Sequence, residues 1–300
     1  MSKQRTVLIT GVSGLLGANL AMYFAPNSNC LGWFATNPVS IENTATGQMD
    51  VTDHTAVEEA LIRIKPDFLI HCAAASDVDW TEDHPSQARS INEDATAFLA
   101  RQSVALGFKL VFISSPFVFD GNSGNYDELD QPVPLNEYAA GKTRAEQAVL
   151  QIAPDALIIR ACFYGHSPRG NHSLLEWVFE KAGNGEAVPG FTDSYFSPIS
   201  VNDFVEALES AITTDQYGIL HIGSSNVISK YEFIRMVLQD FDLDTTLLKP
   251  ITVDEARLNA NRPRDTSLNV TQLETIWGRS APTAAEGMKR FASNPSPFST

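Results

Sequence analysis

The sequence contains little cysteine and no long hydrophobic run. Its three cysteines, Cys30, Cys72 and Cys162, are too few and too far apart in 300 residues for a disulfide framework or a metal knuckle. All three lie in apolar stretches typical of strands, which favours buried, reduced thiols in a cytoplasmic protein. No stretch reaches the about 18 apolar residues that a membrane span requires, so we expect no membrane partner.

Positive charge is also scarce. Lys and Arg total 21 against 36 Asp and Glu, which gives a formal net charge of −15. Such a chain repels phosphate backbones at long range, so we expect no nucleic-acid partner. A hydrophobic content of 43% and a charged content of 19% exclude a disordered or fibrous chain. The six histidines show no close metal-ligand spacing, so we expect no metal site.

The first half of the chain alternates short apolar runs with longer amphipathic ones. The pattern predicts strands over residues 6–10, 30–35, 67–72, 109–114 and 156–160. It predicts helices over residues 15–24, 55–64, 85–106 and 137–152, the third ending at Gly107. Alternating strands and helices indicate βαβ units and therefore an α/β fold with a doubly wound parallel sheet, the Rossmann fold. In that fold ligands bind beyond the carboxyl ends of the strands.

The pattern loosens after residue 160. Residues 161–200 are rich in Gly, Pro, Ser and Asn, and the remainder predicts helices over 173–182, 203–211 and 231–241 and a strand over 218–222. We therefore expect a dinucleotide-binding domain over residues 1–165, its sheet completed by about residues 197–225. We expect residues 166–196 and 226–300 to form a smaller C-terminal α/β substrate-binding lobe.

A glycine-rich loop joins the first predicted strand to the first predicted helix. Gly11, Gly14 and Gly17 recur at every third position. The first glycine permits a tight turn, the second lets a pyrophosphate approach the backbone, and the third lets helix and strand pack closely. The amides and the dipole at the helix N-terminus then face the phosphates. The loop predicts dinucleotide binding.

Tyr138 and Lys142 are four residues apart on a predicted helix, so their side chains share one face. One cation at ~4 Å in an effective dielectric of ~20 is worth roughly 4 kcal/mol, or about 3 pKa units. Lys142 can therefore lower the pKa of the phenol, which could act as an acid towards a carbonyl or as a base towards an alcohol. Ser114 and Ser115 end the preceding strand, where a hydroxyl can hydrogen-bond a substrate carbonyl.

The sequence resembles the extended short-chain dehydrogenase/reductases, and among them the dTDP-4-dehydrorhamnose reductase-like branch. The likeness runs in order over residues 6–275 and is carried by residues 6–17, 72–79, 113–121, 134–143, 198–203 and 262–268. It implies an NAD(P)H-dependent oxidoreductase that transfers hydride to the keto carbon of a nucleotide-activated sugar. A small-molecule substrate of that class is the partner it implies, and a homodimer is compatible with it.

The resemblance also implies site residues. It makes Ser115, Tyr138 and Lys142 catalytic, Ser115 also touching the substrate, and it places Arg262 at the substrate diphosphate. Asn92 matches a helix asparagine of the superfamily. The implied cofactor-binding residues are Gly11, Gly14, Leu15, Leu16 and Gly17 around the pyrophosphate, Asp50 and Val51 at the adenine, and Ala73, Ala74, Ala75 and Lys142 towards the nicotinamide and its ribose.

The chain departs from the branch beside the active hydroxyl. Where the branch usually has Ser-Thr-Asp-Tyr, this chain has Ser114-Ser115-Pro116-Phe117. The hydroxyl needed for carbonyl activation is kept, whereas an acidic and a phenolic group that could contact the sugar are lost.

Cofactor choice depends on the end of the second predicted strand. An acidic residue there would bind the ribose 2′-hydroxyl and favour NAD. Residues 33–37 contain no carboxylate that would repel a 2′-phosphate. The sequence therefore favours NADP(H) over NAD(H).

Two other functions stay open. One is a nucleotide-sugar epimerase or dehydratase of the same superfamily. Dehydratases usually have an Asp-Glu pair after the active hydroxyl, where Pro116 and Phe117 stand here, and epimerases tend to have the strand-two acid that this chain lacks. The other is a non-catalytic NADP-binding subunit, because the regulatory subunit of methionine adenosyltransferase looks similar at the paired serines and at the Tyr/Lys pair.

Overall fold

The computed structural model describes residues 4–170, 173–294 and 298. The chain divides into two compact units. The first contains residues 1–114, 136–159 and 216–220, and the second contains residues 115–135, 160–215 and 221–300. The division of roles expected above, a cofactor domain and a substrate lobe, stays a prediction.

The secondary-structure elements are as follows in chain order. The strands are β1 Thr6–Thr10, β2 Asn29–Phe34, β3 Thr44–Gln48, β4 Phe68–His71, β5 Lys109–Ile113, β6 Leu157–Tyr164, β7 Val188–Phe191, β8 Tyr195–Phe196, β9 Pro198–Ser200, β10 Gly218–Ile222, β11 Ile228–Ser229 and β12 Leu248–Ile251. The helices are α1 Leu15–Phe24, α2 His54–Ile64, α3 Val78–Asp83, α4 Pro85–Arg89, α5 Ala95–Leu106, α6 Glu137–Ile152, α7 Leu174–Gly183, α8 Val201–Thr213, α9 Lys230–Asp240, α10 Thr271–Trp277 and α11 Ala284–Ala292.

A parallel sheet organises the first unit. Its strand order is β6-β5-β4-β1-β2-β3, with β10 beside β6. All five residues of β1 are buried, as expected for a central strand whose two faces are both covered. The order reverses between β1 and β4, which is where doubly wound sheets bind their ligands. The predicted α/β fold class is confirmed, and the glycine loop and residues 73–75 lie at this reversal.

The hydrophobic core of the first unit packs helices on the sheet. Leu8, Leu69, Leu110 and Ile158 lie on four neighbouring strands and are inaccessible to solvent or nearly so. Burying each such side chain contributes about 1.5–3 kcal/mol to the stability of the sheet that carries these loops.

Local sequence signals set most helix ends. Asn136 caps α6 because its Oδ1 accepts a hydrogen bond of 2.9 Å from the Ala139 amide. Gly107 ends α5 in the left-handed region with φ 76°, as predicted. The predicted bounds of β1, α1, α6 and β10 are confirmed at both ends.

The single helix predicted over residues 85–106 is wrong at its centre. Ser90–Asp94 forms a π-helical turn between α4 and α5. Such turns need a compensating interaction, and here the side chain of Asn92 supplies one by bonding the backbone of Ala75. Because that bond is tertiary, helical periodicity could not reveal the turn.

In the second unit, β9 pairs in parallel with the end of β6, from Cys162 to Tyr164. Two small ladders join β11 antiparallel to β8 and β12 parallel to β7. Helix α9 starts with a capping box in which Ser229 and Glu232 satisfy each other's amides. Of the helices formed by the residues described, none combines the length and the apolar character that crossing a membrane requires.

We predict that Gly17→Ala destabilises the first unit. A Cβ at position 17 would lie 2.3 Å from the carbonyl oxygen of Gly11, a backbone atom that cannot rotate away. We expect a loss of about 1–3 kcal/mol in the free energy of unfolding, measured by urea denaturation. Gly47→Ala is the control, because nothing lies within 4 Å of its Cβ position. Equal unfolding midpoints for both variants would contradict the packing argument.

Candidate active site

The glycine loop makes a tight turn between β1 and α1 that packs closely on the segment after β4. Gly11 adopts φ +69°, and a Cβ there would lie 2.8 Å from the amide nitrogen of Ala73. A Cβ on Gly14 would lie 3.3 Å from the Gly11 carbonyl oxygen. Gly11 is therefore required by its left-handed backbone and by its close approach to Ala73, and Gly14 by a close approach within the loop, as in the tight turn of a dinucleotide-binding loop.

Among the residues that the structure describes, no side chain caps the N-terminus of α1. Its cap is Gly14, which offers no side-chain oxygen, and the first turn contains no acidic residue. Leu15 and Leu16 are buried, so that turn presents backbone amides rather than side chains. Amides at a helix N-terminus are a favourable site for phosphate.

The loop that follows β2 is exposed over residues 35–37 and contains no carboxylate. Asn37 donates a hydrogen bond of 3.2 Å to the hydroxyl of Thr36. After β3, the Asp50 carboxylate accepts bonds from the amide and the hydroxyl of Thr52, at 2.9 and 2.7 Å, and Val51 is buried. Asp50 is thus held in a local turn.

The segment after β4 is fixed by hydrogen bonds to two other elements. The amide of Ala73 donates to the hydroxyl of Thr10 at 3.1 Å, at the end of β1. Ala75 donates its amide to Oδ1 of Asn92 at 2.8 Å and accepts from Nδ2 of Asn92 at 3.0 Å. These bonds fix the backbone on either side of Ala74.

A chain of hydrogen bonds passes through buried His71. Nδ1 of His71 lies 2.7 Å from Oγ1 of Thr10, and Nε2 lies 3.1 Å from Oγ1 of Thr96. Thr96 must donate its own proton to the Asn92 carbonyl at 2.8 Å, because a carbonyl oxygen only accepts. Thr96 therefore accepts from His71 Nε2–H, and Thr10 donates to Nδ1.

His71 is neutral in this network. Burial, and next the positive charge of Lys142, lower the pKa of His71 to about 3. A proton on Nδ1 would also remove the acceptor that Thr10 uses. The sequence analysis did not identify His71; the signal available was a histidine at the end of an otherwise apolar strand.

Tyr138 and Lys142 lie on α6, one turn apart, as the spacing predicted. Tyr138 is half-buried, whereas Lys142 is only 3% exposed and donates a hydrogen bond of 3.0 Å to the Ile113 carbonyl. Its Nζ also lies 4.8 Å from the ring centroid of Phe112. Burial lowers the pKa of Lys142 to about 8, opposed by Cys72 and Glu146, so at neutral pH the ammonium stays mainly charged.

The two serines after β5 differ in their partners. The hydroxyl of Ser114 donates to the buried carboxylate of Glu146 at 2.5 Å. The hydroxyl oxygen of Ser115 accepts a bond of 3.2 Å from the Phe117 amide and caps the 3₁₀ turn Pro116–Val118. Because accepting that bond does not use the hydroxyl proton, Ser115 can still donate to a substrate oxygen.

Arg262 lies in the second unit and is half-buried. Its guanidinium donates to the Ala260 carbonyl at 3.0 Å. Lys230, on α9, is near enough for Arg262 to lower the pKa of its ammonium, although burial is the larger cause. The sequence analysis did not identify Lys230, because its neighbours come from distant parts of the chain.

A Rossmann fold with a tyrosine and a buried lysine one turn apart on the helix after the fifth strand defines an extended short-chain dehydrogenase/reductase. Within that superfamily, the chain belongs to the family described as the RmlD substrate binding domain, which matches residues 5–295. The family is sugar-nucleotide reductase-like.

Three similar proteins illustrate the range of the family. A probable low-salt glycan biosynthesis reductase of Haloferax volcanii, Agl14, is 29% identical over 93% of this chain and 95% of its own. Methionine adenosyltransferase 2 subunit beta of Bos taurus is 32% identical over 91% of this chain and 82% of its own. The structure of dTDP-4-dehydrorhamnose reductase from Bacillus anthracis in complex with NADP is 26% identical, covers 96% of this chain and 98% of its own, and superimposes with a TM-score of 0.83.

We predict that acid destabilises the protein through its buried neutral histidines. The pKa of His71 is about 3 in the folded state against 6.5 in the unfolded state. The contribution of neutral His71 to the free energy of unfolding is therefore complete above pH 6.5 and is lost as the pH falls towards 3. At pH 5 the loss is about 2 kcal/mol for this imidazole.

The measurement is urea unfolding at pH 8 and pH 5. The decrease in unfolding free energy between these pH values should be about 2 kcal/mol smaller in His71→Gln than in the wild type. His84→Gln, at an exposed histidine, should keep the wild-type decrease. A decrease in His71→Gln as large as that of the wild type would refute the assignment.

Proposed function

We propose that the protein is an NADPH-dependent reductase of the keto carbon of a nucleotide-activated sugar. The observation that carries this proposal is the buried Lys142 ammonium one helical turn from Tyr138. The structure of a dTDP-4-dehydrorhamnose reductase in complex with NADP, similar to this chain along nearly its whole length, supports it.

In this proposal, Tyr138 donates the proton to the carbonyl oxygen of the substrate. The positive charge on Lys142 stabilises the phenolate that remains, because a cation nearby favours the charged form of an acid. Ser115 donates a hydrogen bond to the same carbonyl oxygen and stabilises the charge that develops there. Ser114 does not take this role, because its proton is used by Glu146.

The bound nicotinamide cofactor supplies the hydride. The chain would hold its pyrophosphate on the amides of Leu15 and Leu16, beside the backbone of Gly11, Gly14 and Gly17. Asp50 and Val51 would flank the adenine, while Ala73, Ala74, Ala75 and Lys142 would line the path to the nicotinamide and its ribose. Arg262 would contact the diphosphate of the substrate.

We propose NADP(H) rather than NAD(H) because residues 35–37 after β2 are exposed and carry no carboxylate. A 2′-phosphate there would meet amide and hydroxyl groups instead of a like charge. The missing carboxylate after β2 also makes an epimerase a weaker candidate than the reductase. A dehydratase is a weaker candidate because Pro116 and Phe117 occupy the positions of the dehydratase acid pair.

A second candidate is a non-catalytic NADP-binding regulatory subunit. The observation in its favour is the identity of 32% with methionine adenosyltransferase 2 subunit beta. Co-purification with a catalytic partner, together with no NADPH consumption in a screen of nucleotide-linked keto sugars, would support this candidate and contradict the reductase.

We predict that Tyr138→Phe lowers kcat by at least 10²-fold, because general acid catalysis is worth about 10² to 10⁴. The dissociation constant for NADPH should stay near the wild-type value, since only the phenolic oxygen is removed. Activity is measured as NADPH consumption with whichever keto sugar the screen identifies. Full activity in this variant would show that Tyr138 is not the proton donor.

We predict tighter binding of NADPH than of NADH. Fluorescence titration of the wild type with both cofactors measures this preference directly. Thr36→Asp introduces a carboxylate after β2 and should weaken NADPH binding by about tenfold or more while changing NADH binding less. Equal affinities for the two cofactors in the wild type would contradict the claim that the absence of a carboxylate after β2 favours NADP(H).

A further inference from the structure

Lys230 is the first residue of α9, and its backbone is firmly held. Its amide donates to the Ser194 carbonyl at 2.9 Å. The preceding residue, Ser229, donates its amide and its hydroxyl to the Glu232 carboxylate at 2.8 and 3.0 Å. The point from which the Lys230 side chain leaves the backbone is therefore set by the fold.

The ammonium of Lys230 lies between two aromatic rings. Its Nζ is 5.8 Å from the ring centroid of Phe117 and 6.0 Å from that of Phe196. Within the part of the chain that the structure describes, this ammonium makes no hydrogen bond and no ion pair. The two rings offset part of the cost of its desolvation, and a half-buried cation still requires an acceptor.

The charged neighbours of Lys230 do not neutralise it. Arg262 is a second cation and repels the ammonium. The Cys162 thiol is the other neighbour, and burial raises its pKa, so it is uncharged at neutral pH. Other cations of this unit have carboxylate partners, such as Arg290, which lies 2.6 Å from Asp203. In a chain of net charge −15, a Lys230 ammonium that lies beside a second cation and two aromatic rings points to an anionic ligand.

We infer that Lys230 is a substrate-binding residue whose ammonium binds an oxyanion of the substrate. This inference rests on the proposed function. Phe117 belongs to the turn that Ser115 caps, so the ammonium lies beside the same turn as the hydroxyl proposed to bind the substrate carbonyl. The oxyanion comes either from the sugar-proximal phosphate or from a carboxylate on the sugar, and both are acceptors for an ammonium.

The test is isothermal titration of the protein saturated with NADP⁺. The probes are UDP-glucose and dTDP-glucose, which carry only the diphosphate, and UDP-glucuronate, which adds a sugar carboxylate. Lys230→Met should weaken binding roughly 10- to 100-fold, as expected for loss of a hydrogen bond to a charged group. Lys230→Arg should stay within a few-fold of the wild type. Lys249→Met is the control, because it removes an exposed charge from the same unit.

The outcomes separate the inference from the function on which it rests. An equal loss for all probes assigns Lys230 to the phosphate, and a loss confined to UDP-glucuronate assigns it to a sugar carboxylate. Wild-type affinity in Lys230→Met overturns the inference and leaves the reductase intact. Binding of none of the probes by the wild type overturns the proposed function and the inference together. NADPH binding by each variant shows that it is folded.

Discussion

The buried ammonium of Lys142 is the interaction on which the candidate active site depends. A charge in a nearly water-free environment must be compensated, and here the compensation is the Ile113 carbonyl at 3.0 Å and the face of Phe112. Both partners belong to β5, so satisfying the charge fixes α6 against that strand. Tyr138, one turn earlier on α6, and Ser114, at the end of β5, are positioned by the same contact.

A second constraint joins the cofactor loop to the strand beside it. Thr10 precedes the glycine loop, and His71 ends β4. The hydrogen bond between them belongs to a chain in which Thr10 donates to His71, His71 donates to Thr96, and Thr96 donates to the Asn92 carbonyl. Because each hydroxyl in this chain both accepts and donates, removing one member leaves a buried polar atom unpaired. The chain ends at Asn92, whose side chain bonds Ala75, and so it links the start of the glycine loop to the segment after β4.

The sequence predicts those parts of the site whose chemistry is local. The glycine loop and the Tyr138–Lys142 spacing are visible because their members are close in sequence, and the buried strands because apolar runs reveal them. Thr44–Gln48 was missed because it is a mostly polar, partly exposed edge strand, held to β2 by its backbone. The roles of Ser114 and Ser115 could not be separated without Glu146, which is 32 residues from Ser114.

In an acidic chain, a cation that lacks a carboxylate partner indicates a place where positive charge is needed. With 36 acidic residues against 21 basic ones, most cations can find a carboxylate, and a cation without one is maintained at a cost in stability. Lys142 meets that cost with a carbonyl, which leaves its charge available to a phenolate. Lys230 has aromatic rings in place of an acceptor. The amides at the start of α1 are likewise not capped by a side chain. In the proposed function, the Tyr138 phenolate, an oxyanion of the substrate and the cofactor pyrophosphate would bring negative charge to Lys142, Lys230 and the amides of α1, respectively.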